Sequence, residues 1–380
     1  MVVLRNVAVA CPVEGSVIVR DLCLQSRDNA PEHFAKQLRH HLVLPALVNA
    51  HDHLHQNGVP PLPQRAPFRN SYEWAAAFRG HFAHAGVQAA LSTPLAVRLW
   101  HGGLKNALSG ATTVMHHDRA HEMFDAMNFP VRVSQPCTWA HSLHLHYGPD
   151  VAASFRDSPA TVPWFIHLAE GVDGLAAGEL QELRQLGCLS GNTVLVHGVG
   201  LNDADVADIV RAGAGVVWCP SSNLSMLGQT IAPHRLRALF AAGCLALGTD
   251  SRLTGARDLL AELEVAAAHS DFSPRELLQL VTGHAQRLLR AARCDDYLIV
   301  CDRGGDPFGE LHELRRAQLR AVVRRVEPFI TDPDFADWFA ALKISCSAVW
   351  LDGHPKLCRT DALSPQGAAT WIPEPGLTLQ

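Results

Sequence analysis

Between residues 42 and 250, short apolar runs that close on polar or histidine residues alternate with Ala/Leu-rich stretches of helical period. The runs are LVLPALVNA (42–50), ATTVM (111–115), VRVSQP (131–136), VPWFI (162–166), TVLVH (193–197), GVVWCP (215–220) and CLALGTD (244–250). Helix-like stretches at 92–108, 174–186, 203–212 and 235–242 separate them. A strand buried on both faces reads as an unbroken apolar run, and strand–helix alternation builds parallel βαβ units. Seven such strands predict an α/β chain with a (β/α)8, TIM-like barrel. The fourth strand has no run of its own, and residues 137–161 read as abbreviated and irregular.

Outside that region the pattern is β-like, as in Gly15-Ser-Val-Ile-Val-Arg20. LRAVVRRVEPFI (319–330) and AVWLDGHPKLC (348–358) predict hairpins, the second turning at Asp352-Gly353. The expected division is 1–44 and 291–380 as the two parts of one flanking β-sandwich, with the barrel over 45–290. The net charge of −5, without a Lys/Arg block, argues against nucleic acid as a partner. No run approaches the ~18 apolar residues of a membrane span, and MVVLRNVAVACPVEG reads as a strand rather than a signal peptide. Ten scattered cysteines with no CxxC pair read as thiols of a reducing compartment, so a cytoplasmic protein is expected.

The chemistry-bearing residues sit at the ends of the runs. His51-Asp52-His53 closes the first, and residues i and i+2 of a strand face the same way, so both imidazoles can serve one metal. With 22 histidines in 380 residues, roughly one HxH arises by chance, and His53/His55 and His144/His146 repeat the spacing. Position singles out His51 and His53, because barrel enzymes keep their ligands at strand ends. His144 and His146 fall in the irregular segment and read as loop. His167-Leu-Ala-Glu170, His197 and Asp250 each close a further run. Three neutral imidazoles and a carboxylate suit Zn²⁺ or a similar divalent ion.

The order HxH, HxxE, H, D resembles the amidohydrolase superfamily, in particular its cytosine-deaminase-like and chlorohydrolase-like branch. LVLPALVNAHDHLH resembles that branch's entry strand and GATTV its second. VLVHGVGL resembles the sixth, VVWCPSSNLSMLG the seventh and ALGTDS the eighth. The likeness covers residues 42–290. Two departures stand out: the short 137–161 segment, and Cys294-Asp-Asp-Tyr-Leu-Ile-Val300 where the family carries a glycine-rich turn.

The resemblance implies a hydrolase of non-peptide carbon–nitrogen bonds, with His51, His53, His167 and Asp250 holding the ion. Glu170 would carry protons, His197 would orient water or join the metal, and Asp250 would double as a base. Two-metal relatives use a bridging lysine near the fourth strand. Here only Lys105 lies between His53 and His167, in the helix before ATTV, so one ion is expected: zinc, with iron as the other candidate. Substrate contacts are expected from early loops and strand ends: His55, Trp74, His117, Arg119, His141 and Asn223. Asn223 has a second reading, as the cap of the next helix. Hydrolytic deamination of a nitrogen heterocycle or amidine-like molecule leads. Opening of a cyclic amide (imidazolonepropionase-like chemistry) is the alternative, and a non-catalytic scaffold relative is the third. A small-molecule substrate is implied, and a homodimer is compatible with all three.

Overall fold

A computed structural model describes residues 2–24, 34–64, 66–291, 295–309, 311–365 and 371–380. Eight parallel strands form its centre: β1 (Leu47–Asp52), β2 (Ala111–His116), β3 (Arg132–Val133), β4 (Thr138–Trp139), β5 (Trp164–Leu168), β6 (Thr193–His197), β7 (Gly215–Trp218) and β8 (Leu245–Leu247). They pair as a three-stranded ladder, β1-β2-β3, and a five-stranded one, β8-β7-β6-β5-β4. A parallel bridge between Asp52, the last residue of β1, and Asp250, just after β8, joins the two. Val48, Ala50, Phe165, Val194, Val196, Val217 and Ala246 form one buried apolar cluster. Every residue of β1, β2, β5, β6, β7 and β8 is buried, as the unbroken apolar runs require.

Two details differ from the sequence pattern. LVLPALVNA is two strands, His41–Pro45 and β1, broken at Pro45-Ala46. The first half pairs with the flanking sheet (Val43 opposite Ile299) and the second enters the parallel core. The missing fourth strand is the two-residue β4, paired with Trp164 and Phe165. It is followed by a short helix, Val151–Arg156, inside the segment read as irregular.

Four N-terminal and six C-terminal strands join in one ten-stranded sheet. Both hairpins form, Ala321–Arg324 with Glu327–Thr331 and Cys346–Leu351 with His354–Arg359. Asp352 and Gly353 have φ of 50° and 79°, the left-handed values a two-residue turn of this kind requires. Nine cysteines are free, and Cys294 lies outside the described residues. Among the described residues no helix is long and apolar enough to cross a membrane.

Candidate metal centre and its cavity

The candidate ligands sit where the parallel ladders lose their regularity. The β1–β2 register shifts between Asn49 and Asp52, and such bulges re-aim the side chains beside them. His197, closing β6, and Asp250, just after β8, are non-glycine residues at φ of 79° and 58°. That conformation costs of order 1–3 kcal/mol per residue and is kept where a site needs the side chain turned. The His53 amide donates to the Asp250 carbonyl at 2.8 Å, tying the two strand ends together.

Hydrogen bonding fixes the proton on several rings, since a carbonyl oxygen can only accept. His167 donates from Nδ1 to the His141 carbonyl at 2.9 Å, leaving its Nε2 lone pair free. That Nε2 lies 3.2 Å from Nε2 of His53. Donors around a tetrahedral ion with bonds of ~2.0–2.1 Å stand about 3.3–3.4 Å apart, so the pair fits a shared ion. Asp250 Oδ1 completes the group at 3.8 Å from His51 Nε2 and 3.6 Å from His53 Nε2. Both ring nitrogens of His51 and Nδ1 of His53 are buried without a hydrogen-bond partner. An orphaned nitrogen is costly in a finished core, and His51 Nε2, facing Asp250 beside the other donors, is one that a cation would satisfy. Burial holds His51 down to about 4 and His167 well below the usual imidazole range, keeping both rings neutral, as ligation demands.

His117 belongs to this cluster too. One ring nitrogen from each of His51, His53, His117 and His167 falls within 4.8 Å of the others. Its Nε2 donates to the Ala140 carbonyl at 3.0 Å, its Nδ1 has no partner, and its ring stacks on His167 with centroids 4.3 Å apart. His117 was expected as a substrate contact. It lies instead among the donors, directly after β2.

Beside the donors, Glu170 and His197 form a couple. His197 donates from Nδ1 to Asn223 Oδ1 at 2.9 Å, and its Nε2 is 3.3 Å from Glu170 Oε1. Burial pushes the Glu170 carboxyl up; the His197 imidazole opposes this and Asp250 adds to it. Burial also favours a neutral Asp250, but the imidazoles of His51, His53 and His197 outweigh it and hold that carboxyl far below its ordinary range. Oδ2 of Asp250 accepts from the hydroxyls of Ser222 at 2.7 Å and Thr254 at 2.6 Å. Two carboxyl groups in one site are thus driven apart, one towards holding a proton and one towards charge, the arrangement acid–base chemistry uses.

A layer of buried polar groups braces the centre. Asp52, between the two histidines, accepts from Lys105 Nζ at 2.9 Å, Asn106 at 2.8 Å, Asn57 at 2.9 Å and Thr249 at 3.1 Å. Burial would raise Asp52, yet the Lys105 ammonium and the amide donors hold it down as a carboxylate. Glu179, reaching in from the helix Gly174–Gln185, accepts from the Ala169 amide at 2.5 Å and from the Tyr72 hydroxyl. Sequence reasoning left Lys105 without a partner and passed over Glu179. The one available signal was a lysine set within the apolar stretch Leu104–Leu108.

The donors open onto a cavity of about 440 Å³ lined by His53, His167, Glu170, His197 and Asp250 at one end. Of the expected substrate contacts, Trp74 and His141 line it. His55, Arg119 and Asn223 do not: His55 sits 3.7 Å from Asp118 Oδ2, and Arg119 is exposed. Asn223 is buried inside the helix Pro220–Leu227, where its carbonyl is taken by His197, so it neither caps that helix nor faces the cavity.

No family model matches the chain. A 5-methylthioadenosine/S-adenosylhomocysteine deaminase of Pyrococcus abyssi is 33% identical over 110 residues, 27% of this chain and 25% of that protein. An aminodeoxyfutalosine deaminase of Deinococcus radiodurans is 36% identical over 111 residues, 28% of this chain and 26% of that protein. The matched stretch spans about a quarter of the length of these relatives. In fold, an adenosine deaminase from Xanthomonas campestris with bound zinc superposes with a TM-score of 0.67 at 16% identity, over 90% of this chain and 97% of that one. An atrazine chlorohydrolase from Arthrobacter aurescens complexed with zinc gives 0.67 at 16% identity, over 90% and 100%.

Proposed function

We propose that the chain is a member of the amidohydrolase superfamily, on its partial likeness to deaminases and its clustered histidines, and that it removes an amino group from a nitrogen heterocycle or amidine-like small molecule by hydrolysis. The observation that carries this reading is the Glu170–His197 couple, 3.3 Å apart on the cavity wall beside the histidine donors. His51, His53, His167 and Asp250 would hold one divalent ion, with zinc favoured by the zinc in both structural neighbours. When bound, such an ion supplies a water acidified from 15.7 to about 7.

The side chains supply the rest. Deamination joins the water oxygen to the ring carbon and breaks its bond to the amine. One water proton ends on the ring nitrogen and the other leaves with ammonia. Glu170, biased by burial to hold a proton, delivers one to the ring nitrogen. Asp250, kept ionised by the imidazoles around it, accepts the other from water. As the carbonyl forms, the remaining proton of the attacking oxygen returns to Glu170 and the one on Asp250 passes to the departing amine, while His197, its tautomer set by Asn223, accepts a hydrogen bond from protonated Glu170 and orients it. The eight strands closing as one barrel, a flanking sandwich from residues 1–44 and 291–380, and a cytoplasmic homodimer belong to the same proposal.

Ammonia release from a panel of amino-substituted heterocycles tests the reaction. A ring-opened product without ammonia sinks deamination and leaves the metal centre standing. The centre has its own test. Purified protein should carry near one equivalent of metal by elemental analysis, and His53→Ala and Asp250→Ala should each remove it, since each deletes a donor. Wild-type protein that takes up no divalent metal under any loading condition ends the reading.

A further inference from the structure

One wall of the cavity is a surface helix whose Trp74 and Phe78 pack against the buried cluster of Val59, Val87 and Leu253. The helix α1 (Ser71–His81) starts at an Asn70 cap and has no buried residue. Trp74 and Phe78 on it, and Phe82 at its C-terminal cap in helical conformation, follow at i, i+4 and i+8, so they share one face. Trp74 and Phe78 stack at 5.2 Å with planes 6° apart, and Phe78 meets Phe82 edge-on at 5.2 Å. All three line the cavity, as do Leu145, Met226 and Leu253.

The hydroxyls on this wall are already engaged. Tyr72 bonds Glu179, Ser142 bonds His141, Tyr147 bonds Asp118, Thr254 bonds Asp250 and Ser71 bonds Glu170. Arg79 is the one arginine or lysine among the lining residues, and it is exposed at the surface of α1, where a guanidinium stacks on arene faces as readily as it meets anions. A volume of about 440 Å³ falls in the range of sites for drug-sized ligands, well beyond a bare single ring.

We propose that the substrate is an amino-heterocycle carrying an apolar, aryl-type arm, and that the Trp74–Phe78–Phe82 face of α1 is the surface that selects it over a sugar-bearing one. This rests on the deamination reading for the heterocycle end and adds the identity of the other end. A flat arm finds ring faces to stack on and water to displace. A ribosyl group of similar size brings hydroxyls onto an aromatic face beside hydroxyls that are already engaged, and buried donors without partners are penalised.

The test uses matched pairs on full-length, metal-loaded protein: 9-benzyladenine against adenosine, and 1-benzylcytosine against cytidine. Binding is read by calorimetry, and ammonia release is scored separately. We expect the benzyl member of at least one pair to bind ~10²-fold more tightly than its ribosyl partner, the scale on which apolar pockets discriminate against hydroxyls. Trp74→Ala should cut that preference at least tenfold, with metal content unchanged. Ribosyl compounds binding as tightly as benzyl ones, or neither benzyl compound binding, overturn the proposal. Benzyl-selective binding without ammonia keeps the selecting surface and removes deamination. Ammonia released equally from both members of a pair does the reverse.

Discussion

Glu170→Gln should leave the metal in place and reduce turnover by ~10²–10⁴-fold, the usual contribution of a positioned acid–base group. The amide keeps the size and shape of the carboxyl but cannot transfer its proton. Glu170 lies outside the clustered donors and its ion-pair contact is with His197 at 3.3 Å, so the change removes no donor of the ion. Elemental analysis and steady-state kinetics on one preparation separate the two effects. Unchanged turnover would take Glu170 out of the mechanism, and metal lost together with turnover would make it a structural support.

The donors were legible in sequence because each closes a buried run: His51, His53, His167 and His197 stand at or beside the last residue of a strand, and Asp250 follows three residues after one. Parallel strands buried on both faces leave little choice of pattern, so where the pattern stops is informative. Other features left a weaker trace. β4 is two residues long, below the length at which any periodicity exists. The break at Pro45 separates two strands of the same apolar character, and only the missing proline N–H marks it. His117 reads like any loop histidine until the backbone carbonyl of Ala140 fixes its proton on Nε2. Glu179 sits on a helix whose exposed and buried faces mix, with Ala176, Leu180 and Leu183 buried beside it, and only the fold shows that its carboxyl turns inward to the Ala169 amide. Sequence alone makes Trp74 a substrate contact from its place in an early loop, and only the fold shows the helix that sets Phe78 and Phe82 on the same face.

The Lys105–Asp52 pair lies 53 residues apart in sequence, and no local pattern links its members. It should nonetheless dominate stability at the centre. Both side chains are fully buried, with Nζ 2.9 Å from Oδ2. Lys105→Met leaves a carboxylate inside the protein without its counter-charge, a change that costs about 3–5 kcal/mol. Against a domain stability of about 5–15 kcal/mol that is a large share. The remaining donors, Asn49, Asn57, Asn106 and Thr249, limit the loss without cancelling the charge. Adding Asp52→Asn to Lys105→Met removes the charge that was stranded, and the double variant should recover most of the stability, since losing both partners is far milder than losing one. Denaturant unfolding of the metal-free forms measures the cycle without a contribution from bound ion. A single-variant loss under ~1 kcal/mol, or a double variant worse than Lys105→Met alone, would show that Asp52 between His51 and His53 is held by its amide and hydroxyl donors and that the lysine is incidental.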